Sequence, residues 1–258
     1  MFRHADEDRT SKLSRRCFFP TAALGMSFGV SATCSAVGAA DAPKGTTAGD
    51  ELVQPLTKTA RDALRPSEII ARLKSGNERF RSGKKQHRDF LEELKRTAGG
   101  QWPEAVILGC IDSRAPAEII FDQGLGDIFN CRVAGNVENA DMLGSIEFAT
   151  KLAGAKVVAV LGHSACGAVK GAIAQAELGS LTQLLAKIRP AFAQTTFSGK
   201  RTADNPEFVD AVARRNVQLT VARLRKGSAY ISQLEKSGDI ELVGCFYDLS
   251  TGNIEFLS

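Results

Sequence analysis

Val157-Val158-Ala159-Val160-Leu161-Gly162-His163-Ser164-Ala165-Cys166 is the stretch whose reading decides the fold. Five apolar residues in succession, with no polar residue between them, describe a strand buried on both faces, as in a parallel sheet covered by helices. Gly162 opens the turn after it. The histidine and cysteine then fall at the carboxyl end of the strand, where open α/β sheets place their chemistry. A second apolar run, Ala105-Val-Ile-Leu108, leads in the same way into Cys110-Ile-Asp112-Ser-Arg114.

Working outward, Asp127–Val133 and Ile240–Tyr247 read as further strands, and Asn253–Leu257 as a short one after the Thr251-Gly252 turn. Helices are expected from Pro66 to Gly83, over the charged stretch Lys84–Arg96, and at Ala115–Phe121 and Glu138–Ala153. Further helices are expected at Ser164–Leu178, Thr182–Phe197, Pro206–Lys226 and Ser228–Lys236. Strands alternating with helices imply crossover connections. The expected fold is α/β: a mainly parallel central sheet of four parallel strands plus an antiparallel edge strand, flanked by helices, with an N-terminal helical extension.

The chain has 258 residues, 43% hydrophobic and 24% charged, enough for one domain with a sizeable core. Its net charge of +4 is spread along the chain, a solvated surface rather than a nucleic-acid footprint. Ser14-Arg-Arg-Cys-Phe-Phe19 resembles a twin-arginine export signature, and residues 17–40 carry no charge. Small residues around Ala40-Asp41-Ala42 offer a cleavage site. Serine and glycine make this run too polar for a stable membrane span. Residues 1–42 are therefore expected to be an export signal, 43–65 a linker and 66–258 a single domain, periplasmic or secreted after export. An uncleaved anchor or an unstructured tail is the alternative.

Singly, Cys110 and Cys166 read as small buried hydrophobes and His163 as a core histidine. Together, at two strand ends, they are three soft ligands for one Zn2+ per chain, with a fourth position left open. Convergence requires the 157–161 strand beside the 105–108 strand, with the 127–133 strand on the far side of the latter. Arg114 presents a planar fork that can hold Asp112 ionised and aimed. If Arg114 released it, Asp112 could become a fourth metal ligand. A closed structural zinc would explain the three ligands but not the Asp-Arg pair beside them. Two thiolates neutralise the metal's charge and leave its water less acidic than three imidazoles would, so activity should rise with pH.

Four motifs, Cys110-Ile-Asp-Ser-Arg114, Asp122-Gln-Gly-Leu-Gly-Asp127, Arg132-Val-Ala-Gly-Asn136 and Gly162-His-Ser-Ala-Cys-Gly167, resemble those of the β-class carbonic anhydrases. The likeness covers roughly residues 66–258. It implies reversible hydration of carbon dioxide to bicarbonate and a proton by zinc-bound hydroxide. Cys110, His163 and Cys166 would be metal ligands and Asp112 with Arg114 the catalytic dyad. It further implies substrate contacts from Gln101, Phe129, Phe148 and Gly167. Phe148 stands where some members carry tyrosine. Core packing for the two phenylalanines and a surface position for Gln101 are the bland alternatives. The family's homodimers and dimers of dimers would use the helices of Pro66–Arg96. A zinc hydrolase of carbonyl sulfide or carbon disulfide, or a non-catalytic bicarbonate or zinc-binding module, are the alternative functions. Cys131 and Cys245 read as buried thiols and His87 as a surface histidine.

Overall fold

A computed structural model describes residues 52–257. The expected export signal, with His4, Cys17 and Cys34, lies outside the described residues. In chain order the elements are α1 (Lys58–Ala63), α2 (Pro66–Arg81), α3 (Phe90–Thr97), β1 (Ala105–Gly109), α4 (Ala117–Ile120) and β2 (Ile128–Arg132). They continue with α5 (Ala140–Glu147), β3 (Val157–His163), α6 (Gly167–Ile173), α7 (Gly179–Gln194) and α8 (Pro206–Gly227). The last are α9 (Ala229–Lys236), β4 (Glu241–Tyr247) and β5 (Ile254–Leu257).

The strands form one sheet in the order β2-β1-β3-β4-β5. β1 pairs in parallel with both β2 and β3, β3 in parallel with β4, and β5 closes the edge antiparallel to β4. This is the expected arrangement, and its cause is visible in the sequence. Every residue of β1 and β3 is buried, so these two strands must take the centre. Their side chains alternate between two cores. Ile107 and Ala159 face a core with Ile69, Leu73 and Phe121 of the α2 and α4 region. Val106, Leu108, Val158 and Val160 face Val217 and Leu224 of α8. Each fully buried valine or leucine contributes roughly 1.5–3 kcal/mol. α8 lies tight on the sheet because Gly162 has no side chain. A Cβ there would sit 2.5 Å from a methyl of Val217.

The structure corrects several expected boundaries. Within residues 43–65, expected as a linker, the described part carries α1. There the buried Arg61 donates to the carbonyl oxygens of Pro103 and Ala153, which ties α1 to the domain. The charged helix begins only at Phe90, since Asp89 caps it by accepting from the amides of Leu91 and Glu92. The residues just before it are not helical, and there the Gln86 amide and the Arg88 guanidinium reach Asp122. The helix after Glu138 divides into α5 and a wider π-helical turn over Phe148–Leu152. α6 is seven residues long, and Gln175, at φ 55°, is in the left-handed region just after it.

Candidate metal centre

β1 and β3 are neighbours in register, Gly109 beside Leu161, so the residues that follow each strand emerge side by side at the sheet's carboxyl edge. Cys110 comes from the first, His163 and Cys166 from the second. All three are buried, and one ligand atom of each lies within 4.8 Å of the others.

His163 is held by its far side. Its Nδ1 lies 2.9 Å from the Ser164 carbonyl oxygen, an arrangement in which Nδ1–H donates and Nε2 keeps a bare lone pair. Nε2 is buried and has no hydrogen-bond partner among the described residues. A buried acceptor without a partner is costly, and here it faces two sulfurs. The sulfurs share the same difficulty. The hydrogen bond between them pulls the Cys110 thiol down, with smaller help from His163 and the Gly135 amide. The same bond, and burial, push the Cys166 thiol up. Two thiols this close and this buried do not both ionise readily unaided. A soft divalent cation at their centre would relieve both sulfurs and complete Nε2, so the donor set fits a Cys₂His zinc site.

Asp112 stands beside the cluster. Arg114 grips it as a fork, Nε to Oδ1 at 2.9 Å and Nη2 to Oδ2 at 2.8 Å, and the Arg114 amide also donates to Oδ1. This side-chain bond is the main reason its carboxyl lies well below the usual carboxylate range. Oδ2 is 3.9 Å from His163 Nε2, so the carboxylate looks into the cluster while both its oxygens stay engaged by arginine. Gly167 opens α6 next to Cys166, at the same site.

Three supporting residues were not singled out from the sequence. Arg132 donates through Nε to the Cys110 carbonyl oxygen at 2.8 Å and through Nη2 to the Asp112 carbonyl oxygen, pinning the first ligand loop. Its motif was visible, but not its direction. Asp210 of α8 reaches the His163–Cys166 turn, and Asn216 reaches Gly135, whose amide donates to Cys110 Sγ; both come from far along the chain, and nothing local in the sequence marks them.

Gln101, Phe129 and Phe148 are not brought to this cluster within one chain. Gln101 precedes β1, whereas Cys110 follows it. Phe129 pairs with Val106, four residues before Cys110, or roughly 13 Å along the strand. Phe129 and Phe148 do meet each other, edge to face at 6.3 Å between ring centroids, in a surface cleft where Phe148 is 53% exposed. Cys131 and Cys245 sit away from the cluster, with thiols raised by burial. The Asp122–Asp127 motif is also remote. It forms buried ion pairs with Arg79 and Arg88.

The carbonic anhydrase family profile matches residues 105–254. Carbonic anhydrase 2 of Mycobacterium tuberculosis (strain ATCC 25618 / H37Rv) is 42% identical over 182 residues, covering 70% of this chain and 87% of that protein. Carbonic anhydrase of Mycolicibacterium smegmatis is 36% identical over 192 residues, covering 72% and 90%. Among solved structures, the β-carbonic anhydrase CafA of Aspergillus fumigatus superposes with a TM-score of 0.59 at 28% identity, covering 74% of this chain and 90% of that one. A tetrameric β-carbonic anhydrase of Sordaria macrospora does so at 0.57 and 25% identity, covering 74% and 95%.

Proposed function

This chain belongs to the β-class carbonic anhydrases, and from that premise we propose that it hydrates carbon dioxide reversibly on one zinc ion held by Cys110, His163 and Cys166. The observation that carries the metal assignment is the buried Nε2 of His163, without a partner among the described residues, in a cluster with two buried sulfurs whose ligand atoms all lie within 4.8 Å of one another. Zinc held by these three residues would supply Lewis acidity and a hydroxide nucleophile. Asp112 and Arg114 do the directing. Arg114 keeps Asp112 ionised, so the carboxylate accepts a hydrogen bond rather than carrying a proton of its own. Its Oδ2, the oxygen nearer the cluster, is the acceptor that orients the O–H of the attacking oxygen and leaves a lone pair for the substrate carbon. Arg132 keeps the loop carrying Cys110 and Asp112 in place throughout.

We also propose that the substrate pocket is completed by a second copy of the chain. Gln101 and Phe148 are exposed, and with Phe129 they lie toward the opposite edge of the sheet from their own cluster. Contact with substrate therefore requires another chain's cluster. α3, whose Phe90, Leu91 and Leu94 are each more than half exposed, offers further apolar surface for such an assembly. Co-expression of His163→Ala with Gln101→Ala tests this. A mixed dimer would restore one intact site from two impaired chains, whereas no recovery would confine each pocket to one chain.

Zinc analysis of the purified protein with stopped-flow carbon dioxide hydration tests the main reading. One zinc per chain and turnover rising with pH are expected. Full zinc loading with no hydration at alkaline pH would overturn the enzyme. Export through residues 1–42 is likewise a proposal, which detection of the mature protein only in the cytoplasm would overturn. Among the described residues no helix is long and apolar enough to cross a membrane.

A further inference from the structure

The His163–Cys166 turn and the Gly135 turn beside Cys110 both carry a residue at positive φ, and both are held from one helix. Ala165, between His163 and Cys166, has φ 55°, a left-handed conformation that a residue with a Cβ rarely adopts. This turn lets the side chains on either side of it aim at one point. Its amide donates to Asp210 Oδ1 at 2.9 Å, from the second turn of α8. Six residues further along the same helix, buried Asn216 donates through Nδ2 to the Gly135 carbonyl oxygen at 2.8 Å. Gly135 in turn donates its amide to Cys110 Sγ at 3.3 Å. It is also at positive φ, and a Cβ on it would meet Ile188 at 2.5 Å, so its place is fixed from outside as well. On the same stretch of α8, Ala213 and Val217 close over Gly162, the residue before His163. The loops come from β1 and β3, more than 50 residues apart. Asp210 of α8 reaches the β3 loop directly, and Asn216 reaches the β1 loop through Gly135, in the turn after β2.

We propose that Asp210 and Asn216 are positioning residues that set the distance between the two ligand loops. One side chain fixes the His163–Cys166 turn, and the other fixes the amide that steadies the Cys110 sulfur. The cation then meets a preformed site. This rests on the zinc reading above and deepens it. Supports behind the ligands of a metal typically change its affinity by about 10–100-fold when removed.

Chelator competition for zinc, and the visible spectrum of the cobalt-substituted protein, test the proposal without reference to turnover. Asp210→Ala should bind zinc about 10–100-fold more weakly and shift the cobalt–thiolate bands, because the Cys166 turn relaxes. Asp210→Asn keeps an acceptor oxygen at the same reach and should restore both readouts to within about 3-fold of the parent. Asp210→Glu keeps the charge but moves the oxygen one methylene out. It should shift the spectrum, and it serves if Asp210→Ala does not fold. Parental affinity and spectrum in the folded alanine or glutamate variant would overturn the proposal, as would an asparagine variant as impaired as the alanine one. If the parent itself binds no stoichiometric zinc, the functional reading fails. If the parent binds and the variants bind equally, only the positioning role fails.

Discussion

The two ends of β1 hold buried polar clusters of opposite kinds. At its start, Glu104 pairs with Arg72 at 2.7 Å, Asp122 pairs with Arg79 at 2.6 Å, and Glu93 and Asp127 share Arg88 at 2.9 and 3.2 Å. Every carboxylate in that set has a cation, with Arg88 serving two. At its end, two sulfurs and an imidazole nitrogen converge without a positive side chain among them, since Arg114 is engaged by Asp112 and Arg132 by main-chain oxygens. Burial is common to both ends, so burial alone does not mark a functional site. The distinction is whether the charges close upon themselves. The first cluster pairs each carboxylate with an arginine and fastens α2 and α3 to the sheet, whereas the second gathers soft donors that could hold a metal ion.

That contrast breaks most visibly if the incomplete cluster does not bind metal. His163→Ala should abolish stoichiometric zinc binding and lower carbon dioxide hydration by more than about 100-fold, beyond the range of supporting residues. A strong zinc chelator should lower the melting temperature of the parent and leave that of His163→Ala unmoved. A parent insensitive to chelator would make the cluster self-sufficient after all.

Asp112→Asn tests the boundary between binding and chemistry. Zinc content should remain at the parental level while kcat/KM falls by about 10²–10⁴-fold, the usual worth of a positioned acid–base group. Hydration at the parental rate would remove Asp112 from the mechanism.

Arg88→Ala attacks the complete cluster instead. It leaves Glu93 and Asp127 without their shared cation, and breaking such a buried pair costs about 3–5 kcal/mol. Urea unfolding should show that loss, while the folded fraction keeps its zinc stoichiometry. A variant as stable as the parent would mean that the arginine is not what holds those carboxylates.

The incomplete cluster was legible in the sequence and the complete one was not. Cys110, His163 and Cys166 follow apolar runs whose burial on both faces fixes them at the sheet's centre, so strand adjacency and ligand convergence follow from one pattern. Arginine–carboxylate pairs have no such signature. Arg88 and Glu93 lie in a charged stretch that reads as solvated helix, and only the fold turns them onto Asp127. The late start of α3 has the same origin, because Gln86 and Arg88 serve Asp122 rather than a helical turn. Asp210 and Asn216 escaped for another reason. Their partners are backbone amide and carbonyl groups of distant loops, and these carry no side-chain identity to pair with in a sequence. Gln101, Phe129 and Phe148 came from resemblance alone, and within one chain they stay apart from the metal cluster.

Glu104→Gln gives the smallest effect and the finest test. Glu104 is fully buried, with Oε1 unpartnered among the described residues, while Arg72 opposite is 48% exposed. Burial is the leading influence on its carboxyl and raises it above the ordinary glutamate value, with Arg72 opposing only in part. The folded protein therefore takes up this proton at a higher pH than the unfolded chain does. Between the ordinary and the raised value the folded state binds more protons, so the residue's contribution to stability grows as pH falls through the raised value. Above that value the full cost of the buried charge is present. Glutamine has the same shape and never ionises. At neutral pH the cost removed and the pairing lost with a half-exposed arginine nearly offset, so the two proteins should differ by no more than about 1 kcal/mol. The informative quantity is the parent-minus-variant unfolding free energy measured from about pH 4 to about pH 8. It should decline with rising pH across the window set by the raised carboxyl and level off beyond it. A difference that stays flat, or that rises with pH, would show that Arg72 fully compensates the carboxylate, and the complete cluster would then be free of strain as well as of unpaired charge.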